Sequence, residues 1–592
     1  MDDEILETSE KDKLKGDVKI PFFTLVKRSL AYAKPEAKRF ILALVILVVQ
    51  VVIDLLLPLI VSNITDSLSE LDINIRRILT LAIAYFLIAL INNGLFYIES
   101  IILVNAGQNI IYRLRMDVFE HIESMSQNQF TEMPVGSLVT RVASYTQSMS
   151  DLFTNVLVSV LRNLVTVFGV FGVMFFINVK LTLYMLIPMA LVFVVSMVFS
   201  RVIGKYFRQE KKGISDINTF TNENLSGMKI TQIFNMQKKK LAEFDVKNEN
   251  LRKASFNVIK AFAVYRPLIT FIYVSSVAMS FKIGIDTGLT PGDIVGFYLL
   301  VEKFFHPVQQ LADQLNQIQK ALTASERLFN LLDVEPELRD KPGAIAVDKL
   351  EGRIEFKNVW FAYEKENWIL KDVSFVIEPG QTCAFVGATG AGKTTILSLI
   401  VRNYEIQKGQ ILIDGIDIAD IQIKSLRHAI GQMLQDVFLF GGSIKTNISL
   451  HDESVTDEEI VNACKYVNAD AFIDKLPNKY DEEIKARGEN LSQGQRQLIS
   501  FARTVIHKPQ ILILDEATAN IDTETEVLIQ ESLEKMRSIG TMLVVAHRLS
   551  TIQHADQIIV LQNGEVLEKG NHQELLAQHG YYWKLFKLQF EK

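Results

Sequence analysis

The stretch Gly387 to Thr394, GATGAGKT, carries residues that can bind phosphate groups. Its fixed positions match the phosphate-loop pattern, in which a glycine-rich turn and the start of a helix direct backbone N–H groups at phosphate oxygens. We expect Lys393 to reach the β and γ phosphates of a nucleotide and the Thr394 hydroxyl to ligate Mg²⁺. The residues predicted to bind ATP here are Gly387, Ala388, Thr389, Gly390, Ala391, Gly392, Lys393, Thr394 and Thr395.

Two further apolar runs end in side chains that can act on a phosphate. ILILDEAT is predicted to be a buried strand that ends at Asp515 and Glu516. Asp515 is expected to hold the Mg²⁺ shell, and Glu516 to polarise an attacking water. LVVAHRLS ends a third strand at His547, at the edge where parallel sheets bind ligands, which favours a γ-phosphate contact. The alternative for both side chains is a purely structural role at a strand end.

The stretch Ala486 to Gln497, ARGENLSQGQRQ, predicts a second phosphate-directed feature. Ser492 is a favourable N-cap for the helix that follows, and Gly494 permits close approach of another backbone. A hydroxyl, free N–H groups and a helix N-terminus together form an anion site. Because residues 387–394 already hold this chain's own phosphates, we expect Ser492 and Gly494 to meet the γ-phosphate on another subunit. An ordinary capped helix is the alternative.

The elements that must position these residues occupy the second part of the chain. After residue 333 a charged, proline-bearing linker spans residues 334–350. From residue 351 to residue 592, short apolar runs alternate with helical stretches, which is typical of an α/β domain with buried strands.

The first 333 residues have a different texture, dominated by long apolar runs. Each run is near or above the roughly 20 residues that a helix needs to cross a bilayer, and the last is the weakest. So many runs make the alternative, buried helices of a large soluble protein, a poor explanation. The predicted spans are residues 39–64, 78–104, 152–177, 181–200, 262–281 and a sixth that starts at Asp293.

The connections between the runs indicate how the chain is oriented. The links between the second and third runs and between the fourth and fifth are long and amphipathic, so the membrane helices are expected to continue as rods beyond the bilayer. Residues 201–253 carry twelve Lys and Arg against six Asp and Glu. The positive-inside rule therefore places the long links and both termini in the cytoplasm.

Polar residues within or near the runs are candidates for contact with a transported compound, because such residues normally face a cavity or the bundle interior. Glu99 is the best candidate for contacting a cation, although a structural ion pair between Glu99 and Arg162 is an equal alternative. The candidates are Asn92, Asn93, Glu99, Arg162 and Glu302.

Composition excludes some function classes. The net charge is −6 over 592 residues, which does not suggest nucleic-acid binding, and 49% of residues are hydrophobic. The two cysteines, Cys383 and Cys464, have no metal-ligand spacing and are expected to be free thiols.

Together these residues resemble the ATP-binding cassette transporters over essentially the whole chain. The pattern is similar to a bacterial half-transporter exporter, which implies a polytopic membrane domain of six helices fused to an α/β P-loop ATPase domain. LSQGQ resembles the signature motif that completes the ATP site of a partner subunit through Ser492, Gln493, Gly494 and Gln495. Other matches are Tyr363, resembling the aromatic that stacks on adenine, Gln435, resembling the Q-loop glutamine that senses Mg²⁺ and water, and Asp522, resembling the D-loop aspartate.

The resemblance implies a cycle and a partner. Two chains pair in the cytoplasmic membrane, two ATP molecules lie between their nucleotide-binding domains, and closure drives the membrane helices from inward-facing to outward-facing. EMPVGSLVTRV and TNENLSGMKIT resemble the coupling helices that dock on those domains. The expected function is ATP-driven export of hydrophobic or amphipathic compounds, with multidrug export favoured. Alternatives are a lipid or lipid-precursor flippase and a membrane-anchored regulatory ATPase that transports nothing.

Three departures from the family pattern bear on the partner. Gln493 replaces the first glycine of the usual LSGGQ, Ala486 replaces a glutamate, and Ser144 or Tyr145 stands where an aspartate is usual. In exporters made of two different chains, one chain often keeps its hydrolytic residues while its signature drifts. The departures therefore favour the catalytically competent half of a heterodimer, with a homodimer left open.

Overall fold

The structure of the protein is a computed structural model that describes residues 14, 18–70, 72–364, 367–434, 436–515, 523–545 and 552–590. The chain divides into two compact units. Unit 1 comprises Met1–Ser124 and Met133–Glu335, and unit 2 comprises Met125–Glu132 and Pro336–Lys592.

Unit 1 is built from helices, and one short helix of the same part of the chain, α4, belongs to unit 2. The helices are α1 (Phe22–Ala33), α2 (Ala37–Ser69), α3 (Ile75–Glu123), α4 (Gln127–Thr131), α5 (Val135–Ile177), α6 (Val179–Ser226), α7 (Met228–Ile233), α8 (Gln237–Asp286) and α9 (Pro291–Leu332). Helix α5 contains two π-helical turns, at Arg141–Tyr145 and at Leu152–Val156.

Five helical segments of the described chain are long and apolar enough to cross a membrane, and they contain α2, α3, α5, α6 and α8. Six were expected. The sixth run does form a helix, α9, of 42 residues, but it is not among the five. Charged residues in its first half, Glu302 and Lys303, lower its apolar character. This difference follows the sequence, where the sixth run was already the weakest.

The predicted extension of the helices is confirmed. Helices α3, α6 and α8 contain 49, 48 and 50 residues. At about 1.5 Å per residue each is roughly 70–75 Å long, more than twice the ~30 Å of a bilayer's hydrocarbon core. The amphipathic links predicted from sequence are the ends of these rods.

Small residues allow the helices of unit 1 to approach closely. A Cβ atom at Gly169 of α5 would lie 2.5 Å from Leu55 Cδ1 of α2. The Ser150 hydroxyl of α5 donates a 3.0 Å hydrogen bond to the Gly107 carbonyl of α3. Apolar helices in a membrane associate through such packing and through interhelical hydrogen bonds.

Unit 2 contains the predicted α/β domain. Its strands are β1 (Ile354–Ala362), β2 (Trp368–Ile377), β3 (Thr382–Gly387), β4 (Lys408–Ile413), β5 (Ile416–Asp417), β6 (Ile430–Met433), β7 (Gly442–Ser443), β8 (Glu483–Ile484), β9 (Ile511–Asp515), β10 (Thr541–Val545), β11 (Gln557–Gln562) and β12 (Glu565–Gly570). One sheet has the order β12-β11-β3-β10-β9-β6, a second has β2-β1-β4-β5, and β7 pairs with β8.

The described helices of the rest of unit 2 surround these sheets. They are α10 (Lys393–Ile400), α11 (Ile423–Ala429), α12 (Ile444–Ser449), α13 (Asp457–Tyr466), α14 (Asp470–Ile473), α15 (Gln493–Ile506), α16 (Thr523–Met536), α17 (His572–Ala577) and α18 (Tyr581–Phe590). Both cysteines are free and buried, as expected, with Cys383 inside β3.

The strands of the larger sheet that lead to the candidate site run parallel to one another. β10 lies between β3 and β9 and runs parallel to both, with Val545 opposite both Phe385 and Asp515. β6 continues the parallel arrangement on the far side of β9. The central strands are buried along their length, which explains why they read as unbroken apolar runs. Their carboxyl ends therefore share one edge of the sheet.

The two segments predicted to be docking helices have different local structures. The first was expected around residues 132–142, but the structure places a short helix just before it, α4, while residues from Val135 belong to α5. Ser126 caps α4 and donates a 2.8 Å hydrogen bond from its hydroxyl to Glu337 Oε2 of the same unit. The second predicted segment, residues 221–231, spans the end of α6 and the start of α7.

Candidate functional site

The phosphate loop connects β3 to α10, the context that its sequence pattern requires. Gly390 has φ +83° and Gly392 has φ +101°, in the left-handed region that favours glycine. A Cβ atom at Gly392 would also lie 2.6 Å from Leu370 Cδ2. Gly392 thus permits both the turn and the close packing on β2, and α10 begins at the next residue.

Lys393 turns its side chain back into the loop. Its ammonium donates hydrogen bonds to the carbonyls of Gly387 at 2.7 Å and Ala388 at 3.0 Å. The residue is only 8% exposed, and burial lowers its pKa while the Asp515 carboxylate acts in the opposite direction. A partly desolvated ammonium gains from an anionic partner, so this position favours phosphate binding.

Two oxygen donors are available for Mg²⁺ beside this lysine. Thr394 is exposed in the first turn of α10. Asp515 is the last residue of β9, and its negative charge opposes the lowering of the Lys393 pKa by burial. Mg²⁺ beside a nucleotide takes one or two protein oxygens and fills its other positions with phosphate and water. The residues present therefore fit the ion, although the described part of the chain holds no cluster of three His, Cys, Asp or Glu.

Tyr363 follows β1 and is 44% exposed, so part of its ring is open to stack on a base. Its hydroxyl lies 3.1 Å from Thr395 Oγ1, which ties it to α10. Edge-on contacts to Phe361 at 4.9 Å and to Tyr404 at 5.0 Å fix the ring plane. Sequence reasoning missed Tyr404; an aromatic residue just after the phosphate-loop helix was the available signal.

The predicted N-cap of α15 is confirmed. The Ser492 hydroxyl accepts a 3.2 Å hydrogen bond from Gln495 N–H, and the Gln495 side chain accepts one of 2.9 Å from Ser492 N–H. This capping box holds the helix start rigidly. Gly494 is buried and Gln493 is exposed, so the Gln493 side chain is presented at the surface beside the helix N-terminus.

A further pair of residues, missed by sequence reasoning, anchors α15. Arg503 donates to the Asn447 carbonyl at 2.8 Å and to the Phe438 carbonyl at 3.1 Å. The Asn447 side chain is 1% exposed. It accepts a 2.8 Å hydrogen bond from Phe440 N–H and donates one of 2.9 Å to the Phe440 carbonyl. The segment that follows Gln435 in sequence is thus fastened to the helix that carries LSQGQ.

Four predicted site residues lie outside the described residues: Gln435, Glu516, Asp522 and His547. Three of them follow neighbouring parallel strands in sequence. Gln435 comes two residues after β6, Glu516 directly after β9, and His547 two residues after β10. In the described part of the chain, the carboxyl ends of β10, β9 and β6 lie side by side at one edge of the sheet.

Unit 1 contains a cavity of about 510 Å³ with charged walls. It brings together two predicted substrate candidates, Arg162 and Glu302, with residues that the sequence did not single out, such as Asp54 and Lys303. Lys303 Nζ lies 2.5 Å from Asp54 Oδ2, so these two charges neutralise each other. Glu302 is exposed and has no ion-pair partner within the described ranges.

Glu99 is not in the cavity lining. It is 1% exposed, and its Oε2 accepts hydrogen bonds from Arg162 Nη2 at 2.5 Å and from Gln50 Nε2 at 2.8 Å. The structure thus realises the ion-pair alternative for Glu99. Asn92 and Asn93 are also absent from the lining, and Asn93 donates to the Ala89 carbonyl of its own helix.

Comparisons with known proteins agree with both units. Residues 40–308 match the family model described as ABC transporter transmembrane region, and residues 370–519 match the model described as ABC transporter. The "Probable multidrug resistance ABC transporter ATP-binding/permease protein YheH" of Bacillus subtilis (strain 168) is 37% identical, over 83% of this chain and 74% of that protein. The "ATP-dependent lipid A-core flippase" of Syntrophus aciditrophicus (strain SB) is 32% identical, over 98% of this chain and 96% of that protein.

A solved structure with a similar fold is described as a bacterial Atm1-family ABC exporter with ATP bound. It aligns with a TM-score of 0.78 and 26% identity, over 94% of this chain and 98% of that one. The similarity extends across both units.

The position of Lys393 generates a direct prediction. Lys393→Ala should weaken ATP binding about 10- to 150-fold, because a hydrogen bond to a charged group is worth roughly 1.5–3 kcal/mol. Titration with a fluorescent ATP analogue and Mg²⁺ measures the effect. Lys424→Ala, at an exposed lysine of α11, is the matched control. Equal loss of affinity in both variants, or none in Lys393→Ala, would contradict the assignment.

Proposed function

We propose that this chain is one half of a two-chain exporter of hydrophobic or amphipathic compounds, with multidrug substrates as the first candidates. The chain belongs to the ABC transporter family, and it joins a set of membrane helices to an ATPase domain. The chain is a multi-pass membrane protein whose ATP hydrolysis drives export. The observation that carries the substrate proposal is the charged cavity of unit 1, in the same chain as a complete phosphate loop. The bacterial cytoplasmic membrane, with the ATPase domain inside, is the proposed location.

The ATP site is proposed to form from two chains. The phosphate loop with Lys393 would hold the phosphates of one ATP, and Thr394, Asp515 and Gln435 would hold Mg²⁺, which offsets phosphate charge when bound. The start of α15 in the other chain, with Ser492 and its exposed N-terminus, would meet the γ-phosphate. ATP can favour the closed pair only through the additional contacts that it makes there.

Hydrolysis is proposed to rest on Glu516, with His547 at the γ-phosphate and Asp522 at the partner's site. Glu516 directly follows Asp515, the last residue of β9. The residue that polarises water would therefore stand next to the residue that holds the metal. Tyr363, fixed by Tyr404, would stack on adenine. The rigid capping box of Ser492 and Gln495 would keep the opposing helix N-terminus in place.

The substrate site is proposed to be the charged cavity. Asp54 and Arg162 already have partners in Lys303 and Glu99, so these pairs leave little net charge. Glu302 alone contributes an uncompensated carboxylate among the described lining residues. A compound with an apolar body and a positive charge would fit these walls better than an anion. The similarity to a lipid A-core flippase makes a lipid the second candidate.

The partner is proposed to be a different half-transporter chain. Gln493 presents a longer side chain than glycine at the surface where a partner's ATP would bind, while this chain's phosphate loop is complete. Tyr145, which with Ser144 is one of the two residues that can stand where the family usually has an aspartate, accepts a 2.7 Å hydrogen bond from Arg327 and so has its own structural role. Both changes leave this chain's hydrolytic residues intact, which is the expected asymmetry.

The catalytic proposal predicts the behaviour of Glu516→Gln. The variant should bind ATP normally and lose about 10²–10⁴-fold in turnover, because the amide cannot polarise water as the carboxylate does. Phosphate release in proteoliposomes measures turnover, and Glu524→Gln on α16 is the control. Near-normal turnover in Glu516→Gln would show that the catalytic assignment is wrong, without affecting the ATP-binding assignment.

The substrate proposal predicts a charge-selective effect of Glu302→Gln. The half-saturating concentration of a cationic amphipathic dye should rise about fivefold, since a partly solvated ion pair is worth up to about 1 kcal/mol. An uncharged dye of similar size should be transported as before. Asp72→Asn, an exposed acid outside the cavity, is the control. A rise for both dyes, or stimulation by lipids alone, would favour the flippase.

The pairing proposal predicts what a tagged chain carries with it. Purified from its own host, it should bring a second half-transporter in equal amount, and expressed alone it should show little ATP turnover. Native mass spectrometry and phosphate release provide the two readouts. Gln493→Gly should restore no turnover to the chain alone. An active dimer of this chain by itself would overturn the heterodimer and leave the exporter proposal standing.

A further inference from the structure

A second cavity of unit 1 lies at the N-terminal side of the helices, and we call it the N-terminal groove. It has a volume of about 650 Å³ and is bounded by α1, the first turns of α2 and the middle of α5. Its walls are apolar side chains, among them Leu30, Leu44 and Leu161, with two exceptions. The exceptions are Lys27 and Lys34, which both line the groove.

The two lysines form a matched pair of free charges. They stand seven residues apart in sequence, which is close to two turns of a helix and places them on one side. Both are exposed, and neither has an ion-pair partner within the described part of the chain. Two neighbouring arginines are already paired: Arg28 bonds to Asp333 at 2.6 and 2.8 Å, and Arg39 to Glu36 at 2.7 Å.

The residues around the groove place it at a membrane surface. Phe22 and Phe23, in the first turn of α1, are 56% and 85% exposed, and Ile41 of α2 is 61% exposed. A short helix with exposed aromatic residues and lysines, joined to a long apolar helix, is typical of a segment that lies at the boundary of the bilayer. In such a segment the apolar side of the groove would face lipid and its lysines would face head groups.

We infer that the N-terminal groove binds an anionic phospholipid, with an acyl chain along Leu30, Leu44 and Leu161 and the phosphate at Lys27 and Lys34. A soluble anion would gain nothing from the apolar walls, and a zwitterionic lipid would gain less than an anionic lipid from two unpaired lysines. Basic pockets beside membrane helices on the cytoplasmic side bind anionic head groups in this way. The inference rests on the proposed cytoplasmic position of the N-terminus, and it stands apart from the proposed substrate and partner.

The lipid would have a structural consequence as well. It would fill the gap between α1 and the two membrane helices that form the other walls, so that α1 is held by lipid as well as by protein contacts. The protein contacts of α1 near the end of α9 include the ion pair of Arg28 with Asp333 and the stacking of Tyr32 on Phe329.

Native mass spectrometry of the detergent-purified full chain tests the inference, with phosphatidylglycerol and phosphatidylcholine titrated separately. The wild-type chain should retain phosphatidylglycerol about 25-fold more tightly, since each lysine near a membrane surface contributes about a fivefold preference. Lys27→Gln combined with Lys34→Gln should abolish the preference. Lys19→Gln combined with Lys38→Gln should keep it, because both lysines are exposed but do not line the groove.

Two further measurements complete the test. Leu44→Trp should reduce retention of both lipids by filling the groove, and all variants should elute from size-exclusion chromatography as the wild type does. Equal retention of the two lipids by the wild type would overturn the inference, as would equal loss in both lysine pairs. Displacement of the bound lipid by glycerol phosphate would also overturn it, because the site would then hold an anion alone.

Discussion

The parallel register of β3, β10 and β9 is the constraint on which the ATPase part of this chain depends. Phe385 and Asp515 both stand opposite Val545, so β9 ends at Asp515 two residues short of Gly387, where β3 enters the phosphate loop. Because the strands are buried on both faces, a shift in register would displace many apolar side chains at once. Strand pairing therefore brings Asp515 near enough to Lys393 for its charge to act on the ammonium.

Several charged side chains in the helices of unit 1 are paired with one another. Charged groups among apolar helices are costly unless they are paired, and the structure pairs Asp54 with Lys303 and Glu99 with Arg162. Each pair joins two helices that are distant in sequence. The pairs hold the helices together and leave Glu302 without an ion-pair partner among the described residues. Removing one member of a pair is thus expected to disturb the fold as well as transport.

Sequence predicted best what depends on neighbouring residues. The phosphate loop, the Ser492 cap and the long amphipathic rods follow from local spacing, and the structure contains the cap and the rods as expected. The ion pair of Asp54 with Lys303 joins positions 249 residues apart, and helical periodicity does not say which turns of two helices meet. Arg503 and Asn447 were missed for the same reason. Glu99 and Arg162 were foreseen as one of two alternatives, because a lone acid and a lone base in apolar runs invite pairing.

The central claim is that one ATP site requires two chains. Its most direct test is ATP turnover per chain in lipid discs that have been separated into those holding one half-transporter and those holding two, prepared from the complex purified from its own host. Turnover confined to two-chain discs, with ATP still bound by one-chain discs through Lys393, is the result that the account predicts. Equal turnover per chain in both kinds of disc would show that a single chain completes its own site, which would contradict it.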